Sequence, residues 1–245
     1  MTTTFAPVRA PRPTSRRRAA AVLVAVFLLA AATFLANRVL PGWAYPVCGA
    51  GTAVLLVAVA RGSGLRPRDV GLDRRHVRRS ASTGLAAAGV VALGFALALA
   101  VPALRPVFHD GRVGDPGIGE VLWQVLIRIP LGTVLVEEIA FRGVLPALLG
   151  GDERWRWGPV LGASGLFGLW HLLPSLALVR NAAVQSLFGG LPLAVISALA
   201  MLAAAVAGVG LCWLRHAGRG VLAPVLFHLA TNCGGLLIAW WVRFG

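Results

Sequence analysis

Seven apolar runs, each of about 18 residues or more, succeed one another along this 245-residue chain and leave little polar sequence between them. They lie near Ala19–Ala36, Trp43–Ala60, Ala81–Leu104, Val121–Leu149, Gly158–Leu173, Leu191–Leu214 and Val221–Val242. Runs of this length read as membrane spans, and in hydrocarbon every backbone N–H and C=O must be paired within its own segment, which here means helices. The expected fold class is all-α, a polytopic transmembrane helix bundle of about seven spans. Composition agrees: 58% of residues are hydrophobic, 13% are charged, and the mean hydropathy is +0.79. A net charge of +14 and a pI near 11.8 would suit a nucleic-acid binder. The basic residues are all arginine and lie between apolar blocks instead of on a polar face, so no nucleic-acid partner is expected. Cys48, Cys212 and Cys233 have no metal-ligand spacing and read as small packing residues.

Arg16, Arg17 and Arg18 precede the first run as they would a signal peptide, and Ser15-Arg16-Arg17 is a weak twin-arginine match. The apolar core is long for a signal, Phe34-Leu35-Ala36 is a poor cleavage site, and a second span follows at once, so the helix reads as retained. The arginines then orient the chain. With the amino terminus cytoplasmic, sixteen fall on inside segments, seven of them between Arg61 and Arg79. Arg38, Arg112, Arg180 and Arg243 fall outside, with Arg105 at a boundary. The Arg61–Arg79 loop reads as a topological anchor, with binding of anionic membrane lipid or of a partner as the alternative. Residues 1–18 are expected to form a disordered basic cytoplasmic tail and 19–245 a single membrane domain. Gly158, Gly162, Gly165 and Gly168 would let a neighbouring helix come close. Ser175–Gly190 reads as an amphipathic helix at the outer surface or a re-entrant segment.

Chemistry is sought where ionisable side chains lie at membrane depth. Glu137 and Glu138 sit inside the fourth run, where a carboxylate costs about 2.5–3.5 kcal/mol to insert and tends to mark function. Glu138 and Arg142 are spaced i, i+4 in the favourable order for an ion pair. Glu137 points elsewhere on the helix and is left as the free carboxylate. The plain alternative is a wholly structural Glu–Arg network. Phe167 and His171 share a face of the fifth span, and His228 and Asn232 a face of the seventh. Two polar groups on one face of a span should turn to a common interior cavity, because in hydrocarbon neither finds a partner. From the cytoplasmic ends of their spans, His228 lies roughly 10 Å deep, Glu137 roughly 18 Å and His171 roughly 20 Å. Pro130, Gly132, Gly143 and Pro146 are candidate bends in the fourth span. Such a cavity suits hydrolysis: Glu137, helped by His171, takes a proton from water, and His228 and Asn232 stabilise the oxyanion.

Three motifs, Glu137-Glu138-x-x-x-Arg142, Phe167-x-x-x-His171 and His228-x-x-x-Asn232, occur in this order on three predicted spans. They resemble those of the CAAX protease and bacteriocin-processing family, also called the abortive-infection family, of intramembrane endopeptidases. The likeness covers about Glu120 to Ala239. It implies a bacterial cytoplasmic-membrane protein with a cavity opening to the cytoplasmic side. By the same likeness, Glu137 and the two histidines carry catalysis, Asn232 assists, and the substrate is a membrane-associated peptide or protein, prenylated or bacteriocin-like. No cofactor is favoured. If zinc is bound instead, its ligands are Glu137, His171 and His228, although His-Glu-x-x-His is absent and Asn232 suits an oxyanion better than a metal. Two readings from other classes stay open: a non-proteolytic immunity or scaffold protein, and a proton-coupled transporter using Glu137 and the histidines as a relay.

Overall fold

The computed structural model describes residues 15–109 and 114–244. Among these residues the structure is helical and without strands; besides short 3-10 and π segments it has α1 (Ser15–Phe34), α2 (Tyr45–Gly62), α3 (Val77–Ala100), α4 (Ile118–Leu148), α5 (Trp157–Trp170), α6 (Leu172–Ser175), α7 (Ala182–Phe188), α8 (Leu193–Gly218) and α9 (Leu222–Phe244). Six are long and apolar enough to cross a membrane. A seventh span is formed if α5 and Leu172–Arg180, joined through a 47° bend, are taken as one broken span. Large apolar side chains such as Leu23, Phe27, Val54, Val90 and Val206 stand exposed around the bundle. An apolar belt on long helices is what lipid contact requires, and the chain is an integral membrane protein.

The tail expected through residue 18 is shorter where it can be followed, since α1 already includes Arg16–Arg18. Residues 1–14 lie outside the described residues. The third span also shifts: α3 starts at Val77, and Pro102–Phe108 winds separately as a 3-10 helix because Pro102 and Pro106 break the run. Ser175–Gly190 holds no long amphipathic helix. It forms a single 3-10 turn and the seven-residue α7, whose first amides are capped by Asn181 Oδ1.

Two inner pairs carry the packing, α3 against α9 and α5 against α8, with α1 and α2 closing on α4. The core joins Ala25 and Leu29 of α1, Leu56 of α2, and Phe141 and Leu145 of α4. Helices α2 and α4 touch backbone to backbone: a Cβ placed on Gly49 would lie 2.6 Å from Gly132 Cα. Of the α5 glycines, Gly168 makes such an approach to α8, where an added Cβ would lie 2.6 Å from Met201 O, while Gly158 and Gly165 meet nothing within 4 Å.

Helix α4 is not regular. Gln124–Val134 and Ile139–Val144 wind as π-helix, with one α turn, Leu135–Glu138, between them. Pro130 supplies no N–H, and the chain responds by moving to i→i+5 bonds, as in Leu135 N–H to Pro130 O. The second stretch ends with Leu145 N–H bonded to Ala140 O. Both carboxylates sit on the short α turn between these wider, underwound segments.

The two ends of the bundle are distinct. At one, Arg215 donates to Asp69 O at 3.0 Å, Arg79 donates to Ala217 O at 2.8 Å, and Trp155 stacks edge-on against His216. At the other, Asn181 donates to Val107 O, Ala182 N–H to His109 O, and Trp240 Nε1 to Pro116 O.

Candidate active site

Glu137, on the isolated α turn of α4, is 5% exposed. Its Oε1 accepts a hydrogen bond from Trp170 Nε1 at 2.9 Å. Its Oε2 is buried without a hydrogen-bond partner among the described residues and lies 3.8 Å from His228 Nε2. That separation is too long for a hydrogen bond but short enough for electrostatic coupling. One oxygen is held by an indole, and the other is buried with no hydrogen-bond partner among the described residues.

Glu138 is fully buried and does two things. Its Oε1 accepts from His228 Nδ1 at 2.7 Å and lies 3.3 Å from Arg142 NH1. The arginine is buried too, and its nitrogens make no directed hydrogen bond among the described residues. Charge and a ring face hold it, with Cζ 3.9 Å from the centroid of Phe167. Because a carboxylate only accepts, the Glu138 contact means that Nδ1 of His228 carries a proton, and it turns Nε2 toward Glu137.

His171 stands at the break between α5 and α6. Pro174 has no N–H for the carbonyl of Trp170, four residues back, so the helix stops. The His171 ring folds onto the frayed end, with Nδ1 2.8 Å from Phe167 O. A carbonyl only accepts, so Nδ1 donates and the Nε2 lone pair of the neutral ring remains free. Phe167 joins the groups, packing edge-on to His171 with centroids 4.5 Å apart and to His228 at 6.4 Å, with Arg142 on its face.

Glu137, His171, His228 and Asn232 all line one cavity of about 780 Å³. It continues past Thr133, Tyr45 and Cys48 to Arg38 and Arg180 at its mouth. Phe167, Glu138 and Arg142 stand behind this wall. Three partners went unread in the sequence. The Trp170–Glu137 bond had a signal, since a buried indole N–H needs an acceptor. The Glu138–His228 bond spans 90 residues, and the contribution of α1 and α2 to the lining likewise depends on packing; neither is written in local spacing. A larger cavity of about 950 Å³ lies on the other side of Asn232 and contains Glu120, Gln124 and Arg128 but neither Glu137 nor a histidine. These three form a ladder along α4, with Gln124 bonded to Glu120 at 2.7 Å and Arg128 to Gln124 at 3.1 Å.

Glu137, His171 and His228 are the side chains that the zinc alternative would use, and all three line the cavity of about 780 Å³. Among the described residues no three His, Cys, Asp or Glu side chains are grouped to hold a metal ion.

Residues 119–234 match the family model described as type II CAAX prenyl endopeptidase Rce1-like. Over that stretch, a little under half of its length, the chain is similar to the Rce1-like family. The match spans Glu137 through Asn232, and so every residue of the three motifs, and at family level it supports an intramembrane CAAX-type endopeptidase, a hydrolase. No curated protein and no solved structure matches the chain.

Proposed function

We propose that this Rce1-like protein cleaves a peptide bond of a membrane-associated peptide or protein, with Glu137 as the general base. The observation that carries the reading is the shared cavity: Glu137 Oε2 without a hydrogen-bond partner, His171 with Nε2 free, and His228 and Asn232 on the same lining.

In this reading a water sits between Glu137 Oε2 and His171 Nε2. Glu137 takes its proton, and the oxygen adds to the scissile carbonyl carbon. His228, as an imidazolium with Nδ1–H on Glu138, offers Nε2–H to the oxyanion, and the Asn232 carboxamide offers a second donor. As the tetrahedral intermediate collapses, the C–N bond breaks and the proton held by Glu137 passes to the departing nitrogen. One water is consumed, an acid and an amine are formed, and Glu137 returns as a carboxylate. Trp170 keeps Glu137 in place, and Arg142 with Phe167 holds Glu138, which holds His228. No step in this scheme requires a metal.

A membrane-anchored substrate is supported by a groove of about 730 Å³ between α1 and α5, lined by Val26, Leu29, Phe34, Leu166 and Leu169. It shares Thr33, Arg38, Trp170 and Leu173 with the catalytic cavity, so an apolar anchor in the groove would bring its peptide to Glu137. We assign the protein to a bacterial cytoplasmic membrane.

The test is reconstitution in proteoliposomes with a lipid-anchored peptide. Wild type is expected to cleave it, and His171→Ala to lose cleavage while keeping its thermal unfolding midpoint. Full activity in that variant would remove the mechanism. Ion flux that Glu137→Gln abolishes would favour the carrier, and binding without cleavage the scaffold.

A further inference from the structure

We infer that the catalytic cavity opens on the extracytoplasmic side of the membrane, so that its substrate is a peptide presented from the outer leaflet. The inference rests on the hydrolytic reading of the cavity, but its physical basis is independent of that reading.

The lining residues of the cavity fix its position along the bundle, and the exposed polar ones, Asn37, Arg38 and Arg180, mark its mouth. It lies between the carboxyl-terminal end of α1 at Asn37 and Arg38, the amino-terminal end of α2 at Tyr45, and the segment Leu173–Arg180 beyond α5. None of its lining comes from the α2–α3 loop, the α4–α5 loop or the α8–α9 turn. Those three connections meet at the opposite end of the bundle, through Arg215 on Asp69 O, Val221 N–H on Gly71 O and Trp155 against His216. The amino-terminal turn of α1 is there too: a Cβ on Gly150 would lie 3.9 Å from an Arg18 guanidinium nitrogen.

Charge separates the same two ends. Arg16, Arg17 and Arg18, the seven arginines from Arg61 to Arg79, Arg154, Arg156, Arg215 and Arg219 all belong to the end remote from the mouth. The mouth end has Arg38, Arg105, Arg180 and Arg243 among the described residues. All the connections are short, which is the regime in which arginine near span ends decides orientation. The arginine-rich end is therefore cytoplasmic, and the mouth faces away from the cytoplasm. A cytoplasmic amino terminus and a cytoplasmic cavity, both expected from the sequence, are incompatible in this fold. The cavity expectation came from family likeness alone, and it is the one that yields.

The arrangement also defines the substrate. A peptide reaching Glu137 must enter past Asn37 and Arg180, from the aqueous face or through the α1–α5 groove that opens beside the same mouth. That describes an exported segment, one end anchored in the membrane and the scissile bond exposed outside.

Single cysteines test the orientation in intact cells. In a chain with Cys48, Cys212 and Cys233 replaced by alanine, Asn37→Cys reports the mouth and Pro67→Cys the arginine-rich loop. With a membrane-impermeant maleimide, Asn37→Cys is expected to label in intact cells as fully as after permeabilisation. Pro67→Cys is expected to label only after permeabilisation. The reverse pattern, or labelling of both in intact cells, overturns the inference. Should the cysteine-free chain fail to fold, a reporter fused after α9 reads the same end, because Trp240 Nε1 bonds Pro116 O there. Alkaline phosphatase fused at that point should be active, and an inactive phosphatase with a fluorescent cytoplasmic reporter overturns the inference. Neither readout depends on cleavage. If orientation holds but spheroplasts fail to cleave an externally supplied anchored peptide, the hydrolytic reading fails and the orientation stands.

Discussion

Two adjacent carboxylates with different partners are the centre of the site, and the difference is a matter of neighbours. Glu138 is enclosed by Arg142 and His228, while Glu137 has one oxygen on Trp170 and the other buried without a hydrogen-bond partner among the described residues, 3.8 Å from His228 Nε2. Trp170→Phe keeps the ring and removes the N–H. Losing a hydrogen bond to a charged acceptor is worth about 1.5–3 kcal/mol, so cleavage should fall roughly 10- to 150-fold with little change in unfolding temperature. An unchanged rate would show that the indole does not position Glu137. Arg142→Ala acts differently, leaving Glu138 charged and buried, and should destabilise the protein by about 3–5 kcal/mol, read by thermal unfolding in detergent. The i, i+4 spacing of Glu138 and Arg142 was legible because it is local. The claim of Glu138 on His228 was not, because it joins α4 to α9 across a contact that no spacing within one helix encodes.

Helix irregularity sets the position of these groups. The π stretches of α4 isolate the turn bearing both glutamates, and the break after Trp170 places His171 at a helix end. Pro130 and Gly143 marked α4 as bent, but proline and glycine show where regular bonding fails and leave the replacement pattern to packing. The six long spans were legible from the length of the apolar runs, while the fifth run holds the bent pair that raises the count to seven only if it is one span. The edges were not legible: the α3 run continues past Ala100 in hydropathy, while Pro102 ends the helix. Pro174→Ala restores an N–H to the Trp170 carbonyl and lets α5 run on through His171. The expected result is an unchanged or higher unfolding temperature with reduced cleavage, because the ring leaves its seat on Phe167 O. Full activity would mean that the bend does not set the histidine.

The whole molecule places a polar cavity inside an apolar belt, with α3 and α9 on one flank and α5 and α8 on the other. Such a site can hold water beside a carboxylate while the anchor of a substrate stays in lipid. Because proton transfer is assigned to side chains, exhaustive chelation should leave cleavage unchanged; loss on chelation with recovery on adding zinc would move the mechanism to metal chemistry. The central claim is that Glu137 activates the water, and its most direct measurement is the cleavage rate of Glu137→Gln in proteoliposomes beside wild type. The substitution keeps shape and the Trp170 contact while removing the base, so the rate should fall by about 10²–10⁴ with the unfolding temperature unchanged. A folded Glu137→Gln protein that cleaves at the wild-type rate would contradict the account.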